Sequence, residues 1–444
     1  MSVSRDPHSR RSWAVVGGGL LGLTLAHRLA QRGREVTVYE ASDHLGGLAA
    51  AWRIADVVWD RHYHVILESD RALVPLLEEL GLAAELHWTR TRTGVFANGR
   101  LHSVSNPVEL LRFPGLGWLD KARLGATFLR AVTTRDFRAL ERIPVEQWLR
   151  RWSGDHAFER FWLPLLRSKL GDAYRMVSAA FIWATIQRLY AARRAGLREE
   201  RFGHVRGGYA RILDRFAEVL ASERVRVECD FPVERIESAG PRVAVIGPRS
   251  AEHDFAVVTL PSPAIARIGA GLTAQERARL ENTPYLGIVC ASLLLRRALS
   301  PFYVTNLLDE GLPFTGVIEM SALMGTDAFG GHALVYLPRY IAPGDPFFLA
   351  PDDEVREAFL AGLARVSPHF RRDDLIAFQV SRVRYVMALP TLRYSEQVLP
   401  IRTSVPRLFL VNSAQIVAGT LNVNETVQLA EQAVPRLLAM ESTR

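Results

Sequence analysis

Val15-Val16-Gly17-Gly18-Gly19-Leu20-Leu21-Gly22 is the stretch from which the rest of the chain is read. An apolar strand runs into a Gly-x-Gly-x-x-Gly turn and then a helix, and the next strand, Glu35 to Tyr39, ends at an acidic residue, Glu40. In this pattern Gly17 permits the tight turn and Gly19 lets the backbone approach a pyrophosphate. Gly22 lets helix and strand pack closely, while Gly18, Leu20 and Leu21 complete the loop in front of the helix N-terminus. The glycines alone also suit a purely structural turn. A helix over Leu23 to Arg32, its stop at Gly33 and the second strand supply the context that a dinucleotide site requires. Glu40 is then placed to accept hydrogen bonds from adenosine ribose hydroxyls. Gly46-Gly47 offers a second backbone without side chains beside the pyrophosphate or, read by itself, a surface turn.

With 444 residues, 48% of them hydrophobic, the chain can bury a large core and divide into two or three domains. Cys229 and Cys290 are isolated, with no metal or redox spacing, so neither a zinc nor an iron–sulfur site is expected and a reducing cytoplasm is the expected compartment. The formal charge is +8, yet Lys121 and Lys169 are the only lysines and the arginines are spread along the chain. Nucleic-acid binders concentrate charge or interleave it with stacking aromatics, so no nucleic-acid partner is expected, whereas an anionic small molecule fits. No apolar run reaches transmembrane length. Arg10-Arg11 mimics a twin-arginine signal, but cleavage there would destroy the nucleotide turn, so residues 1–12 read as a disordered leader.

Further along, Trp52 to Asp60 reads as short strands and Pro75 to Leu80 as a helix. A long helical region with many aromatics follows from Leu101 to Gly196. Val205-Arg206-Gly207-Gly208-Tyr209 precedes a helix over Ala210 to Ser222, then strands Val225 to Cys229 and Val233 to Ser238. Asp254 to Pro261 is a buried-strand pattern. Strand His332 to Pro338 and helix Asp353 to Val366 come next. Arg407 to Ser413 is again a buried strand, and Gly419-Thr420-Leu421-Asn422-Val423-Asn424-Glu425 opens a last helix.

Taken in order, the glycine turn with Glu40, the Gly46-Gly47 pair, the Gly207-Gly208 helix, Phe231-Pro232-Val233 and the C-terminal helix resemble the signature of the amine oxidase, protoporphyrinogen oxidase and phytoene desaturase superfamily. That resemblance implies an α/β fold: a discontinuous Rossmann-type FAD-binding domain at 13–90, 203–280 and 397–444. A mixed α+β substrate domain is inserted, helical at 91–202 and sheet-containing at 281–396. It makes noncovalent FAD the cofactor, since no cysteine lies near the C-terminus. Its implied binding residues are Gly17, Gly18, Gly19, Leu20, Leu21, Gly22, Glu40, Ala41, Gly46, Gly47, Arg61, Val233 (through its backbone), Asn412, Asn422 and Val423, with Asn424 also near the ring.

Departures from the family pattern point to mechanism. Where relatives carry small residues, this chain has Trp59-Asp60-Arg61-His62-Tyr63-His64, so His64, and after it His62, are candidate acid/base groups, or one merely bonds buried backbone. Arg384-Tyr385-Val386-Met387-Ala388-Leu389-Pro390 resembles a run found in protoporphyrinogen-oxidase-like proteins and makes Tyr385, with Tyr394, a candidate for the substrate side of the ring. At the C-terminal strand, Asn412-Ser413-Ala414-Gln415 stands where many flavoproteins place Gly-Asp or Gly-Glu to hold the ribityl chain, and its polar side chains can still bond hydroxyls. Lys169 and Arg167 are candidate contacts for an anionic group, or ordinary solvated helix residues. The expected activity is hydride removal from a small-molecule C–H bond next to nitrogen, oxygen or an allylic carbon. The alternatives are a redox-neutral flavoenzyme resembling UDP-galactopyranose mutase and a non-catalytic FAD-binding protein. An isoprenoid substrate also fits the apolar helices, and Phe113 to Val132 leaves peripheral membrane contact open; the oligomeric state is not legible.

Overall fold

A computed structural model describes residues 11–105, 109, 113, 115–194 and 201–442; all but the last two residues of the leader lie outside these. The first strand, Ser12–Val16, is the centre of a parallel five-stranded sheet. Glu35–Tyr39 and Arg226–Glu228 lie on one side of it, and Phe255–Val258 and Leu408–Leu410 on the other. Parallel strands need crossovers, and here most crossovers are whole subdomains, so three distant segments build one sheet. Trp13 joins them: its ring stacks on Phe255 at 4.8 Å and on Phe409 at 5.6 Å, and it has no exposed surface.

The first helix, Leu20–Gln31, starts three residues earlier than the sequence pattern suggests, because Leu20, Leu21 and Gly22 are already helical and buried. A three-stranded antiparallel sheet, Arg235–Ala239, Arg242–Ile246 and Ser250–His253, leads back into Phe255–Val258.

The second layer is a seven-stranded mixed sheet whose longest strands, Tyr285–Leu295, Ala333–Ile341 and Leu375–Ala388, run antiparallel. Every residue of Tyr285–Leu295 is buried, the continuous apolar reading of a strand covered on both faces. Thr93–Ala97 and Arg100–Ser103 complete this sheet at its edge, so the segment read as helical contributes a hairpin as well as helices. Those helices, from Trp118–Thr133 to Ala179–Arg194, pack around Trp148, Phe158, Trp162 and Phe181. No helix among the described residues is long and apolar enough to cross a membrane.

Candidate active site

The glycine turn is built without room for side chains. Gly17 has φ +112, and a Cβ on Gly22 would stand 1.9 Å from the Gly17 carbonyl oxygen, so helix and turn touch backbone to backbone. Gly19, by contrast, would meet nothing closer than 3.9 Å; its Cα face looks into open space beside Gly46 and Gly47. Gly46 N–H donates to Gly18 O at 2.9 Å, so the two glycine segments lie side by side at the helix start. No side chain caps that helix. Its first amides are therefore left for a ligand, and the helix dipole favours an anion there.

Glu40 is held by this cradle. Its Oε2 accepts from Gly18 N–H at 2.7 Å and its Oε1 from Ser42 N–H at 2.9 Å, which leaves one lone pair on each oxygen for ribose hydroxyls. Ala41 is exposed next to it, and Val233 is half-buried across the loop. At the C-terminal end, Asn422 caps the last helix, Val423–Ser442, by accepting from Glu425 N–H at 3.0 Å. Asn412 and Asn424 make hydrogen bonds inside the protein. The Asn412 amide donates to Leu260 O and Ser262 Oγ and its Oδ1 accepts from Ala414 N–H, which leaves one lone pair of Oδ1 for a hydroxyl. Asn424 Oδ1 accepts from Ala72 and Leu73 N–H and caps the Leu73–Glu79 helix instead of facing a ring.

The hairpin Ala51–Ile54 and Val57–Asp60 delivers the second part of the site. Asp60 is 2% exposed; its Oδ1 accepts from Tyr209 N–H at 2.8 Å and its carbonyl accepts from Tyr336 Oη, which pins the strand end to both the Gly207-Gly208 helix and the large sheet. Burial pushes the Asp60 carboxyl up to about 8, against the opposing Tyr209 bond. His64 follows four residues on. Its Nδ1 lies 3.9 Å from Asp60 Oδ2, too long for a hydrogen bond, and has no partner among the described residues. Burial first, then the neighbouring His62, pull the His64 imidazole down to about 3, so it is a neutral base at ordinary pH.

The two histidines divide by geometry. His62 Nδ1 faces Leu48 O at 3.3 Å, and a carbonyl can only accept, so Nδ1 carries the proton and Nε2 accepts from Ser381 Oγ at 3.1 Å. With both nitrogens engaged, His62 ties the hairpin to the Leu375–Ala388 strand, and burial draws its imidazole down to about 4. Tyr63 Oη and Tyr340 Oη bond at 2.8 Å. Tyr63, His64 and Tyr340 are half-buried, and His64 Nδ1 is a buried atom without a partner among the described residues. Trp59 Nε1, Arg61 Nε and Tyr209 Oη, on or beside the same hairpin, are likewise buried without a partner among the described residues.

Tyr385 is half-buried with its ring edge-on to Tyr285 at 5.6 Å. Tyr394 is a core residue, 3% exposed, donating to Ala414 O at 2.8 Å, and Arg167 is paired with Glu310 on the surface; neither reaches the site. A cavity of about 580 Å³ elsewhere lies among the helices, lined by Arg130, Arg135, Arg151 and Trp152.

The model for flavin-containing amine oxidoreductases matches residues 22–433. The chain belongs to that family. Flavin-containing monoamine oxidase AofH of Mycobacterium tuberculosis is 27% identical over 263 residues, 56% of this chain and 56% of its own length. The match thus spans little more than half of that curated relative. Among solved structures, reduced UDP-galactopyranose mutase aligns over 98% of this chain and 96% of its own, with TM-score 0.76 at 16% identity. An oxidoreductase of Methanosarcina mazei gives TM-score 0.75 at 18% identity over 96% and 100%. Identities that low establish a shared fold.

The residues present fit FAD, the family's cofactor. The cradle that a Cβ would fill, the uncapped helix start and the unpartnered Arg61 Nε are what an anionic dinucleotide would satisfy. Asp60, Tyr209 and Tyr336 went unread as site residues, although the first two stand in quoted motifs. Nothing in one sequence says that residues 60, 209 and 336 meet.

Proposed function

We propose that this family member is an oxidoreductase that holds FAD noncovalently and removes hydride from a C–H bond of a small-molecule substrate, next to nitrogen, oxygen or an allylic carbon. The observation that carries the reading is the enclosed, partnerless Nδ1 of His64 on a hairpin beside the glycine cradle. Bound FAD supplies a two-electron acceptor. The chain supplies the rest. Gly17, Gly19, Gly46 and the helix start hold the pyrophosphate, and Glu40 the ribose. The Tyr63–Tyr340 pair walls off water, and the neutral His64 imidazole holds the substrate by a hydrogen bond at Nδ1. Cys290 is fully buried in the large sheet and Cys229 follows the Arg226–Glu228 edge strand near Glu40; neither lies in the C-terminal segment, which supports noncovalent FAD.

An exposed face adds a place of work. Trp118 is 79% exposed, Leu119 and Leu129 are 65% exposed, and Arg123 and Arg130 flank them, a pairing that favours an anionic lipid surface.

The deciding experiment is an absorbance spectrum before and after denaturation, with anaerobic reduction and readmission of air. Released flavin with fast reoxidation supports an oxidase. Slow reoxidation moves the reading to a dehydrogenase, a desaturase or a redox-neutral enzyme, and no flavin after reconstitution with FAD overturns it.

A further inference from the structure

The Trp118–Thr133 helix is apolar on both sides. Leu124, Thr127 and Ala131 are buried against the protein, while Trp118, Leu119, Ala122, Ala126 and Leu129 form a second apolar strip on the face turned to solvent. The strip is about 16 Å long at the helical rise of 1.5 Å per residue. A patch of that kind marks an interaction surface.

At its C-terminal end the same helix borders the cleft of about 580 Å³, whose other walls are the connection to the Phe137–Leu140 helix and the Val145–Ser153 helix. That volume lies within the roughly 300–1,000 Å³ of small-molecule sites. Arg130 directly follows Leu129, the last residue of the strip. Its guanidinium carbon is 5.4 Å from the centre of the Trp152 ring, and that of Arg151 is 5.9 Å from the same ring; Arg135 stands on the connection. Among the described residues none of these three guanidinium groups makes a hydrogen bond or an ion pair.

The carboxylates nearby are committed elsewhere. Asp136, the one acidic residue among the described lining residues, caps the Phe137–Leu140 helix by accepting from Arg138 N–H at 3.0 Å. Glu141 accepts from Ser395, and Glu146, Asp155 and Glu159 all bond Arg150. The carbonyls at the helix end are covered as well: Thr134 Oγ1 donates to Arg130 O, Gln187 Nε2 to Ala131 O and Trp183 Nε1 to Thr134 O. The cleft is left with an excess of positive charge carried on guanidinium forks, the geometry that matches two oxygens of a phosphate.

We propose that this cleft is the headgroup site for an anionic phospholipid: the phosphate of one lipid sits among Arg130, Arg135 and Arg151, and its acyl chains lie along the strip from Trp118 to Leu129. The continuity of cleft and strip on one helix is what selects a lipid over a free phosphate. This deepens the lipid contact proposed for the exposed face and rests on it.

The test uses FAD-loaded protein and two readouts. Co-sedimentation compares vesicles of phosphatidylcholine with and without phosphatidylglycerol, and calorimetric titration compares dihexanoyl phosphatidylglycerol, kept below its micelle concentration, with dihexanoyl phosphatidylcholine and glycerol 3-phosphate. Wild type should prefer the phosphatidylglycerol vesicles and take up dihexanoyl phosphatidylglycerol saturably, one lipid per chain. Replacing Arg130, Arg135 and Arg151 by Gln together should abolish that uptake and weaken vesicle binding about fivefold for each arginine, with the melting temperature kept. Removing the same charge from other helices, by Arg267→Gln, Arg279→Gln and Arg356→Gln together, should leave vesicle binding within about twofold, since distant exposed charges are screened. Equal losses in the two triple variants, or a cleft variant that binds as wild type does, overturn the proposal. So does glycerol 3-phosphate bound as tightly as the short lipid, which would make the site one for a free phosphate. Vesicle binding without saturable uptake of the short lipid overturns the cleft alone, and a wild type that binds no vesicle overturns the lipid contact of the exposed face together with it.

Discussion

Two alanines placed three residues apart should fail in opposite ways. At Gly22 an added Cβ would lie 1.9 Å from the Gly17 carbonyl oxygen, deep in backbone that cannot give way without parting helix from turn. Overpacking of this kind costs about 1–3 kcal/mol and sometimes more, and a backbone clash so close belongs at the upper end. At Gly19 the nearest atoms to an added Cβ are 3.9 and 4.0 Å away, and the backbone, φ −76 and ψ 172, is open to any residue. Gly19→Ala should therefore leave the FAD-free protein within about 1 kcal/mol of wild type, the cost of a poorer N-cap. Yet its methyl occupies the space where the pyrophosphate would approach. Each charge-assisted bond lost there is worth about 1.5–3 kcal/mol, so FAD affinity should fall roughly ten- to hundredfold per bond. Urea denaturation of the FAD-free protein and a fluorescence titration with FAD separate the two effects. Wild-type FAD affinity in Gly19→Ala, or wild-type stability in Gly22→Ala, would refute the assignment of the cradle.

Further outcomes follow from the same geometry. Below pH 6.5 an unfolded chain takes up a proton that native His64, held near 3, refuses, so His64 costs stability as the pH falls. From pH 6.5 to 5, His64→Gln should gain on wild type by roughly 2 kcal/mol in urea denaturation, and parallel pH curves would show that the imidazole is not held neutral. Asp60 has the opposite sign: its native carboxyl, near 8, keeps a proton that the unfolded chain releases, so its contribution is complete below the ordinary value of 3.8 and is lost as pH rises to 8. Asp60→Asn should flatten the decline in stability between pH 6.5 and 8. Asn424→Ala strands the Ala72 and Leu73 amides and should cost about 2–3 kcal/mol by chemical denaturation, with the fold retained. Co-sedimentation with phosphatidylglycerol vesicles should fall with added salt and with Trp118→Ser or Leu129→Ser; binding insensitive to both would place the contact elsewhere.

How much of this was legible beforehand depended on whether the cause was local. The glycine turn, Glu40 and the capped start of the last helix are readable because each is decided within a few residues: a positive φ at Gly17, an N-cap at Asn422, alternation into a buried strand at Phe255–Val258. The roles of the polar side chains were not. His62 and His64 stand two residues apart with the same chemistry, and they part because Ser381 and Leu48 take both nitrogens of one while Nδ1 of the other has no hydrogen-bond partner among the described residues. Asn412 and Asn424 looked free to meet a ligand, and partners more than a hundred residues away claimed them. Local backbone chemistry thus determined the cofactor frame. Which groups keep an open lone pair or an unmatched charge is settled by long-range packing, because burial sets the cost of a polar atom and only a distant segment can supply its partner.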